Sequence, residues 1–331
     1  MKKIIGNLLF CLVAVLTLCQ CDSDAPTMKI KKVNLLYDHE LKGKVKKIKR
    51  FDLEYNDGKV EKGGMIESVL VDTFGNYTEE YLVAESGELT LIYQGEFYSN
   101  GYPKTQTYFD IYSGEKSVAE YKYNSNENSV VVDEYRNVGS SFFSRCFNDR
   151  TTVRKYDEQG NLIEFTYPDF EGPTKKEISK YDSQNRLVKK IITTSSELFD
   201  YADTISFKYT DNGKIEYFNG IEIRRFNEKG DVLETPEYES SGKARYEYVY
   251  DSKGNVLQQL RYENIANMPP SPDEDSESKC TRKSDEVLRQ KYVVKYDDKG
   301  NAVQWMTFRY DNCGEEIGKP YGCIVEYEYY E

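Results

Sequence analysis

The side chains that carry out most enzyme chemistry are scarce in this sequence. His39 is the only histidine, which excludes Ser-His-Asp and Cys-His catalytic arrangements and argues against a histidine-ligated metal site. The 57 acidic residues could supply two carboxylates for a glycosidase, but no pair is singled out. No phosphate-binding loop, dinucleotide fingerprint or Cys-x-x-Cys motif is present. We therefore expect no cofactor and no metal, and the pattern favours a non-enzymatic function.

Cysteine chemistry is the main remaining option. The body of the chain contains Cys146, Cys280, Cys313 and Cys323. Cys313 and Cys323 flank a segment rich in Gly and Pro, which predicts a local disulfide in an oxidising compartment. Cys146 and Cys280 would then form the remaining pair. The alternative is that these cysteines are free thiols packed as small apolar residues.

The amino terminus has the form of a cleavable export signal. Lys2 and Lys3 provide a positive start, and an apolar run follows from residue 4 to residue 18. At about 15 residues this run is shorter than the ~20 that a membrane-spanning helix needs, and it is typical of a signal segment. We therefore assign residues 1–20 to a signal peptide.

The end of this run resembles the lipobox of bacterial lipoproteins, with Leu18 three residues before Cys21. Cys19, which has Leu16 at the same spacing, is the other candidate, and an ordinary secretory signal is the alternative. The resemblance implies transfer of a diacylglyceryl group to the Cys21 thiol and cleavage before it. The acids after Cys21 resemble the signals that carry lipoproteins to the cell surface in Bacteroidota. The protein is thus expected at the cell envelope, at the outer membrane, with surface exposure as an option.

Charge excludes one class of partner. The chain has 45 basic and 57 acidic residues, a net charge of −12, and without Lys2 and Lys3 the mature chain has 43 − 57 = −14. Such a chain has no basic footprint for nucleic acid. Anionic phospholipid would also repel it, so membrane attachment is expected through the lipid alone.

One short motif recurs along the chain: an aromatic residue, Asp or Asn, two variable residues, Gly, and then a polar residue. Its copies begin at Tyr156, Tyr181, Tyr209, Phe226, Tyr250, Tyr296 and Tyr310. The motif predicts a hairpin turn, in which Asp accepts a backbone N–H bond and Gly (Asn185 in one copy) takes a positive φ. Flanking residues alternate, as at Tyr246, Tyr248 and Tyr250, which predicts antiparallel strands.

With its flanks, the copy at residues 248–257 reads Tyr-x-Tyr-Asp-x-x-Gly-Asn-x-Leu and resembles the YD repeat of Rhs-type proteins. The wider layout is similar to small lipoproteins of Bacteroidota with such repeats, and segments 41–48 and 327–331 share that resemblance. Large Rhs proteins wind a long strand ribbon into a shell around a toxin. About eight to ten hairpins are too few to enclose a domain, so encapsulation is not expected.

These features predict an all-β fold: a curled, open antiparallel meander of YD-repeat-like hairpins, whose stacking supplies the core. Residues 21–40 are expected to be a lipidated flexible tether and residues 41–331 the β domain. Within it, the acidic, Pro-rich insertion 264–286 is expected to be a disordered loop. The stretch 100–150 is the least repeat-like, and we place a candidate subdomain boundary near residue 150.

The function expected from the sequence is that of an envelope-anchored lipoprotein whose repeat sheet is a non-enzymatic binding or scaffolding surface. Its partners would be the membrane, through the lipid, and an envelope protein or a glycan. The Tyr-rich face could stack on sugar rings, so a polysaccharide-binding module is the first alternative. A glycan hydrolase with two carboxylates is the second.

Overall fold

The computed structural model describes residues 25–30, 41–56, 58–84, 86–137, 150–168, 174–195, 200–235, 243–264, 286–311 and 313–331. These residues form one antiparallel sheet of 20 strands. The strands are β1 (Val45–Asn56), β2 (Lys59–Val71), β3 (Tyr77–Val83), β4 (Leu89–Phe97), β5 (Pro103–Phe109), β6 (Lys116–Asn124), β7 (Ser129–Asn137), β8 (Arg150–Tyr156), β9 (Leu162–Pro168), β10 (Thr174–Tyr181), β11 (Leu187–Ser195), β12 (Asp200–Thr210), β13 (Gly213–Phe218), β14 (Ile221–Phe226), β15 (Val232–Thr235), β16 (Ala244–Tyr250), β17 (Val256–Asn264), β18 (Glu286–Tyr296), β19 (Ala302–Arg309) and β20 (Tyr321–Tyr329). Within these described ranges, no helix has the length and apolar character needed to span a membrane.

The sheet is closed. Each strand pairs with the next one in sequence, and β1 also pairs antiparallel with β20 from Val45–Tyr329 to Asp52–Cys323. The predicted all-β antiparallel fold is confirmed, but the predicted open meander is wrong. The reason is that segments 41–48 and 327–331 pair with each other. The sequence marks them only as the two ends of the repeat region, and their junction, between β1 and β20, is called the seam below. Closure leaves no unpaired edge at either end of the meander.

Burial concentrates on one face of the sheet. On β16, half-buried Tyr246, Tyr248 and Tyr250 alternate with exposed Glu247 and Val249, as predicted. The pairing of neighbouring strands aligns their buried residues on the same face. Buried Ile48 of β1, for example, lies opposite buried Val69 of β2. Because side chains converge on the concave face of a closed sheet, this buried face is the inner face. Val69 is fully buried, which contributes about 1.5–3 kcal/mol.

Two small clusters form the described core on this inner face. The first, the seam cluster, joins β1, β2 and β20 and consists of Val45, Ile48, Val69, Val71, Cys323 and Val325. Trp305, the only tryptophan of the chain, packs against it. The second cluster joins β6 and β7 to the amino-terminal segment and consists of Met28, Ala119, Tyr121, Val130 and Val132.

The up-and-down topology gives the closed sheet two rims. One rim, the motif rim, carries the turns that join even-numbered strands to odd-numbered ones, including six of the seven motif copies; the copy at Tyr310 lies on the other rim. The opposite rim carries the connections from odd to even strands. β7 pairs with β8, so the subdomain boundary placed near residue 150 is wrong. Residues 265–285, most of the predicted acidic loop, lie outside the described residues, and they connect the paired strands β17 and β18.

Candidate functional site

The motif turns have the predicted local chemistry. In the copy at Tyr156, the Asp157 carboxylate accepts hydrogen bonds from the backbone N–H groups of Gln159 (3.0 Å) and Asn161 (2.8 Å). Gly160 and Asn185 both adopt positive φ, 83° and 65°. The copy at Tyr209 departs from this pattern, because Thr210 pairs directly with Gly213 across a two-residue turn. A side chain at Gly213 would meet the Phe226 carbonyl oxygen at 2.0 Å, so only glycine fits this close approach.

Six tyrosines near the motif rim have a role that the sequence did not predict, and three of them, Tyr181, Tyr209 and Tyr296, are motif tyrosines. On six even-numbered strands, a Tyr hydroxyl donates to the carbonyl oxygen of the first residue of the preceding odd-numbered strand. The pairs are Tyr123–Pro103 (2.8 Å), Tyr181–Leu162 (3.1 Å), Tyr209–Leu187 (3.0 Å), Tyr248–Val232 (2.8 Å), Tyr296–Val256 (3.0 Å) and Tyr327–Ala302 (3.0 Å). Each bond ties one hairpin of the motif rim to its neighbour, at about 0.5–1.5 kcal/mol. The motif therefore shapes a turn, and tyrosines in or beside it link successive turns.

Side chains also close the motif rim across the seam. The Asn301 amide accepts a bond from Lys42 N (2.7 Å) and donates to Lys42 O (2.8 Å) and to the Tyr329 hydroxyl (2.9 Å). The Asp297 carboxylate accepts the Tyr329 hydroxyl at 2.5 Å and two backbone N–H bonds of its own turn. These bonds lower the pKa of Asp297 against the opposing effect of its partial burial. Asp297 is thus a turn-capping residue, and the described residues contain no cluster of His, Cys, Asp and Glu that could hold a metal.

Buried acids of the inner face pair with arginines at Glu67, Glu216 and Glu263, and the first of these networks lies on β1, β2 and β3. Glu67 is 5% exposed, and its carboxylate lies 2.5 Å from Arg50 Nη1. Arg50 in turn lies 6.0 Å from the ring centre of Trp305. Burial raises the pKa of Glu80 to about 7, with a further contribution from the charge of Glu67 and a hydrogen bond between the two carboxyl groups, while Arg50 opposes the rise. Near neutral pH, the Glu80 carboxyl group is therefore protonated in part of the population.

This network is a poor match to a glycosidase. Two carboxyl groups that are hydrogen-bonded to each other leave no room for the reacting sugar, which retaining and inverting enzymes place between carboxylates ~5 Å or ~6.5–9.5 Å apart. The charge of Glu67 is also balanced by its ion pair with Arg50.

The raised pKa of Glu80 predicts a pH dependence of stability. The folded protein favours the neutral carboxyl group, so stability falls as pH rises from about 4.5, the unfolded value, through about 7. Glu80→Gln should therefore be more stable than the wild type at pH 8 by about 1–2 kcal/mol, a gain limited by solvent screening of a half-buried group. Urea unfolding at pH 4.5 and pH 8 measures this difference.

The matched control for that experiment is Glu328→Gln. Glu328 is an exposed carboxylate of the same seam, and its bond to Lys49 lowers its pKa. Its removal should give no stabilisation at pH 8. A Glu80→Gln protein that gains nothing at pH 8 over pH 4.5 would contradict the assignment of a raised pKa to Glu80.

Tyrosine rings continue the inner face from β4 to β6. Tyr93 is 2% exposed, and its ring centre lies 5.2 Å from that of Tyr108. The Tyr121 hydroxyl donates to the Gln106 side-chain oxygen at 2.6 Å, and burial raises the pKa of Tyr121 to about 12. Tyr93 and Tyr121 are buried and held by contacts within the sheet, so they cannot also stack on a sugar, whereas Tyr108 is 40% exposed. These tyrosines stabilise the sheet as cross-strand contacts.

The amino-terminal segment docks on the inner face. Met28 is 6% exposed within the second cluster, and Ile30 packs against it. The Tyr102 hydroxyl donates to Met28 O (2.7 Å), and the Asn100 amide donates to Pro26 O (2.6 Å). The flexible tether predicted over residues 21–40 is therefore wrong for residues 25–30, which apolar burial and hydrogen bonds fix to the sheet, and the rest of the predicted tether lies outside the described residues. Cys21 and His39 lie outside the described residues.

Comparisons with known proteins do not place the chain in a family. No family model matches it, and no curated protein matches its sequence. Among solved structures, it is similar to a porin-like protein from Bacteroides uniformis, with 11% identity, a TM-score of 0.37, and coverage of 86% of this chain and 96% of that one. It is also similar to a chain of the TcdB2-TccC3-Cdc42 structure, with 11% identity and a TM-score of 0.32, over 82% of this chain but only 15% of the other. Neither TM-score is high enough for the similarity to bear on function.

The cysteines correct the predicted disulfide. Cys323 is a free thiol, 5% exposed in the seam cluster, whereas Cys313 is disulfide-bonded, so the bridge between Cys313 and Cys323 is not formed. The physical reason is that Cys323 lies on the inner face of β20, opposite Trp305, where it serves as a small apolar side chain. Burial raises its pKa to about 12, which leaves it unreactive. Cys146 and Cys280 lie outside the described residues.

Proposed function

We propose that this chain is a lipid-anchored protein of the cell envelope, of the YD-repeat lipoprotein type, whose closed sheet is a binding scaffold and not an enzyme. The lipobox-like sequence at Cys21 supports an anchor in the outer membrane. The observation that carries the proposal is the closure of the sheet by β1 and β20. A closed sheet with no free edge cannot add a strand from a partner, so it binds through side chains on its faces and rims.

The chemistry of the inner face supports a scaffold over the two alternatives. On the inner face of β4 to β6, Tyr93 and Tyr121 are buried and therefore unavailable for sugar stacking. The Glu67–Glu80 contact lacks the separation that a carboxylate hydrolase needs. The Tyr hydroxyl bonds along the motif rim join each hairpin to the next. They make the sheet rigid, as a binding scaffold requires.

The test is a crosslinked pull-down from intact cells, with the full lipoprotein tagged at its carboxy terminus and bound proteins and glycans identified together. Tyr330 lies at the motif rim, where its backbone N–H donates to Lys44 O, so the tag leaves the opposite rim unobstructed. We expect one stoichiometric protein partner, lost in the unanchored Cys21→Ser control. Polysaccharide recovered without protein would favour the glycan-binding alternative. Hydrolytic activity of the purified chain that is lost in Glu80→Gln would overturn the proposal.

A further inference from the structure

The docked amino-terminal segment shortens the link between the sheet and the lipid anchor. Residues 25–30 alternate in burial: Pro26 and Met28 are buried, whereas Thr27 and Lys29 are exposed. An extended chain alternates in this way when one side of it is packed against a surface. The segment is therefore held on the inner face along its length and not at a single point.

The amino end of this segment lies at the motif rim. The amide of Asn100, in the turn between β4 and β5, donates to Pro26 O at 2.6 Å. The hydroxyl of Ser125, in the turn between β6 and β7, lies 3.3 Å from the Thr27 hydroxyl. Met28, by contrast, packs against residues within β6 and β7. The segment thus runs from the inner face toward the opening that the motif rim surrounds, with its amino end outermost.

The length of chain between Pro26 and Cys21 limits how far the sheet can move from its anchor. The two residues are 26 − 21 = 5 positions apart, and extended chain spans at most about 3.6 Å per residue, so the motif rim lies within ~18 Å of an anchor at Cys21. β7 has nine residues at about 3.3 Å each, and at a strand tilt of about 40° it separates the two rims by about 23 Å. Because the link is shorter than this separation, the sheet cannot turn over to bring the opposite rim to the membrane.

Charge attraction does not supply this proximity. The mature chain, with 43 basic and 57 acidic residues, is repelled by anionic phospholipid. The motif rim is instead kept near the bilayer by a short covalent link and by the packing of residues 25–30 on the inner face. Apolar packing and chain length are not screened by salt, so the orientation that they impose should not depend on ionic strength.

We propose that the motif rim is the membrane-facing surface of this protein, and that the docked segment 25–30 holds it against the bilayer into which the lipid of Cys21 inserts. The outer face and the opposite rim then remain open to other molecules of the envelope. This proposal rests on the lipid anchor of the proposed function, and it adds the orientation of the sheet on the membrane.

The test is resonance energy transfer from a dye on the sheet to a dye in the membrane. The full lipoprotein carries p-azidophenylalanine in place of Phe74, which is 51% exposed at the motif rim, or in place of Tyr112, which is 95% exposed at the opposite rim. A donor dye is attached to the azide, and the protein is reconstituted into phosphatidylcholine vesicles that contain acceptor-labelled phosphatidylethanolamine. We expect transfer from position 74 to be several-fold more efficient than transfer from position 112, at low and at high salt.

A variant that releases the segment tests its role. Met28→Asp, Ile30→Asp places two carboxylates against the apolar cluster of β6 and β7, so the segment should leave the inner face. The chain would then first be fixed to the rim at Lys42, by its bonds to Asn301, and the link would lengthen to as much as about 75 Å. Transfer from positions 74 and 112 should become nearly equal.

The matched control is Thr27→Asp, Lys29→Asp, which adds the same charges at exposed neighbours and should keep the wild-type difference. Tyr102→Phe removes the hydroxyl that bonds Met28 O and Ile30 N, and should narrow the difference without placing a charge on the inner face. Equal transfer from the two positions in the wild type, or a full difference in Met28→Asp, Ile30→Asp, would overturn the orientation. If the protein still floats with the vesicles in those cases, the anchored scaffold stands; if it does not float, the anchor fails together with the orientation.

Discussion

Val69→Asp should cost about 4 kcal/mol or more in the free energy of unfolding, because it places a charge at a fully buried position. Val69 lies opposite Ile48 on β1 and Glu80 on β3, so the new carboxylate would also be close to an existing acid. The loss should open the seam between β1 and β20. Urea unfolding followed by the emission of Trp305, which packs against the seam cluster, measures both effects.

The control is Val249→Asp, the same substitution at a residue of β16 that is 50% exposed. It should change the free energy of unfolding by less than about 0.5 kcal/mol and leave the Trp305 emission unchanged. If Val69→Asp behaves like this control, the seam cluster is not the core described here.

Asn301→Ala should cost about 2–3 kcal/mol, because the amide is 4% exposed and makes three hydrogen bonds, two of them to Lys42 across the seam. The loss should also free the chain that enters β1, since Lys42 N and Lys42 O would both lose a partner. Urea unfolding gives the energy, and faster amide hydrogen exchange over residues 41–45 locates it.

Asn255→Ala is the matched control for this second substitution. Asn255 occupies the same motif position, but its side-chain amide donates to Asp251 within its own turn (2.8 Å). Its loss should cost about 1 kcal/mol or less and leave exchange over residues 41–45 unchanged. Equal effects of the two substitutions would show that Asn301 acts only as a turn residue.

The local parts of this fold could be predicted from the sequence, and the long-range parts could not. The Asp157 turn and the alternation on β16 depend on residues a few positions apart, for which side-chain chemistry and period are sufficient. Closure depends on the pairing of Ile48 with Tyr327, which no local pattern encodes. The docking of Met28 was missed for the same reason, since its contacts lie on β6 and β7.

The raised pKa of Glu80 could have been predicted from the sequence. The turn at Asp72 fixes the β2–β3 hairpin, and its register places Glu80 opposite Val69. An acid that faces a buried Val is a signal for a raised pKa, which hairpin register alone could have supplied. The Tyr hydroxyl bonds, by contrast, link neighbouring hairpins, and their acceptors are backbone carbonyls that no residue type marks.

Closure is tested most directly by zero-length carbodiimide crosslinking of the monomer, isolated by size exclusion, followed by peptide mass spectrometry. The seam places Lys49 Nζ 2.7 Å from Glu328 and Lys62 Nζ 2.6 Å from Glu326, on residues more than 260 positions apart. A closed sheet should give both amide-linked peptide pairs in the native protein and neither of them in 8 M urea. Abundant links within single hairpins, such as Lys122–Asp133, without either seam link would show that the sheet is open.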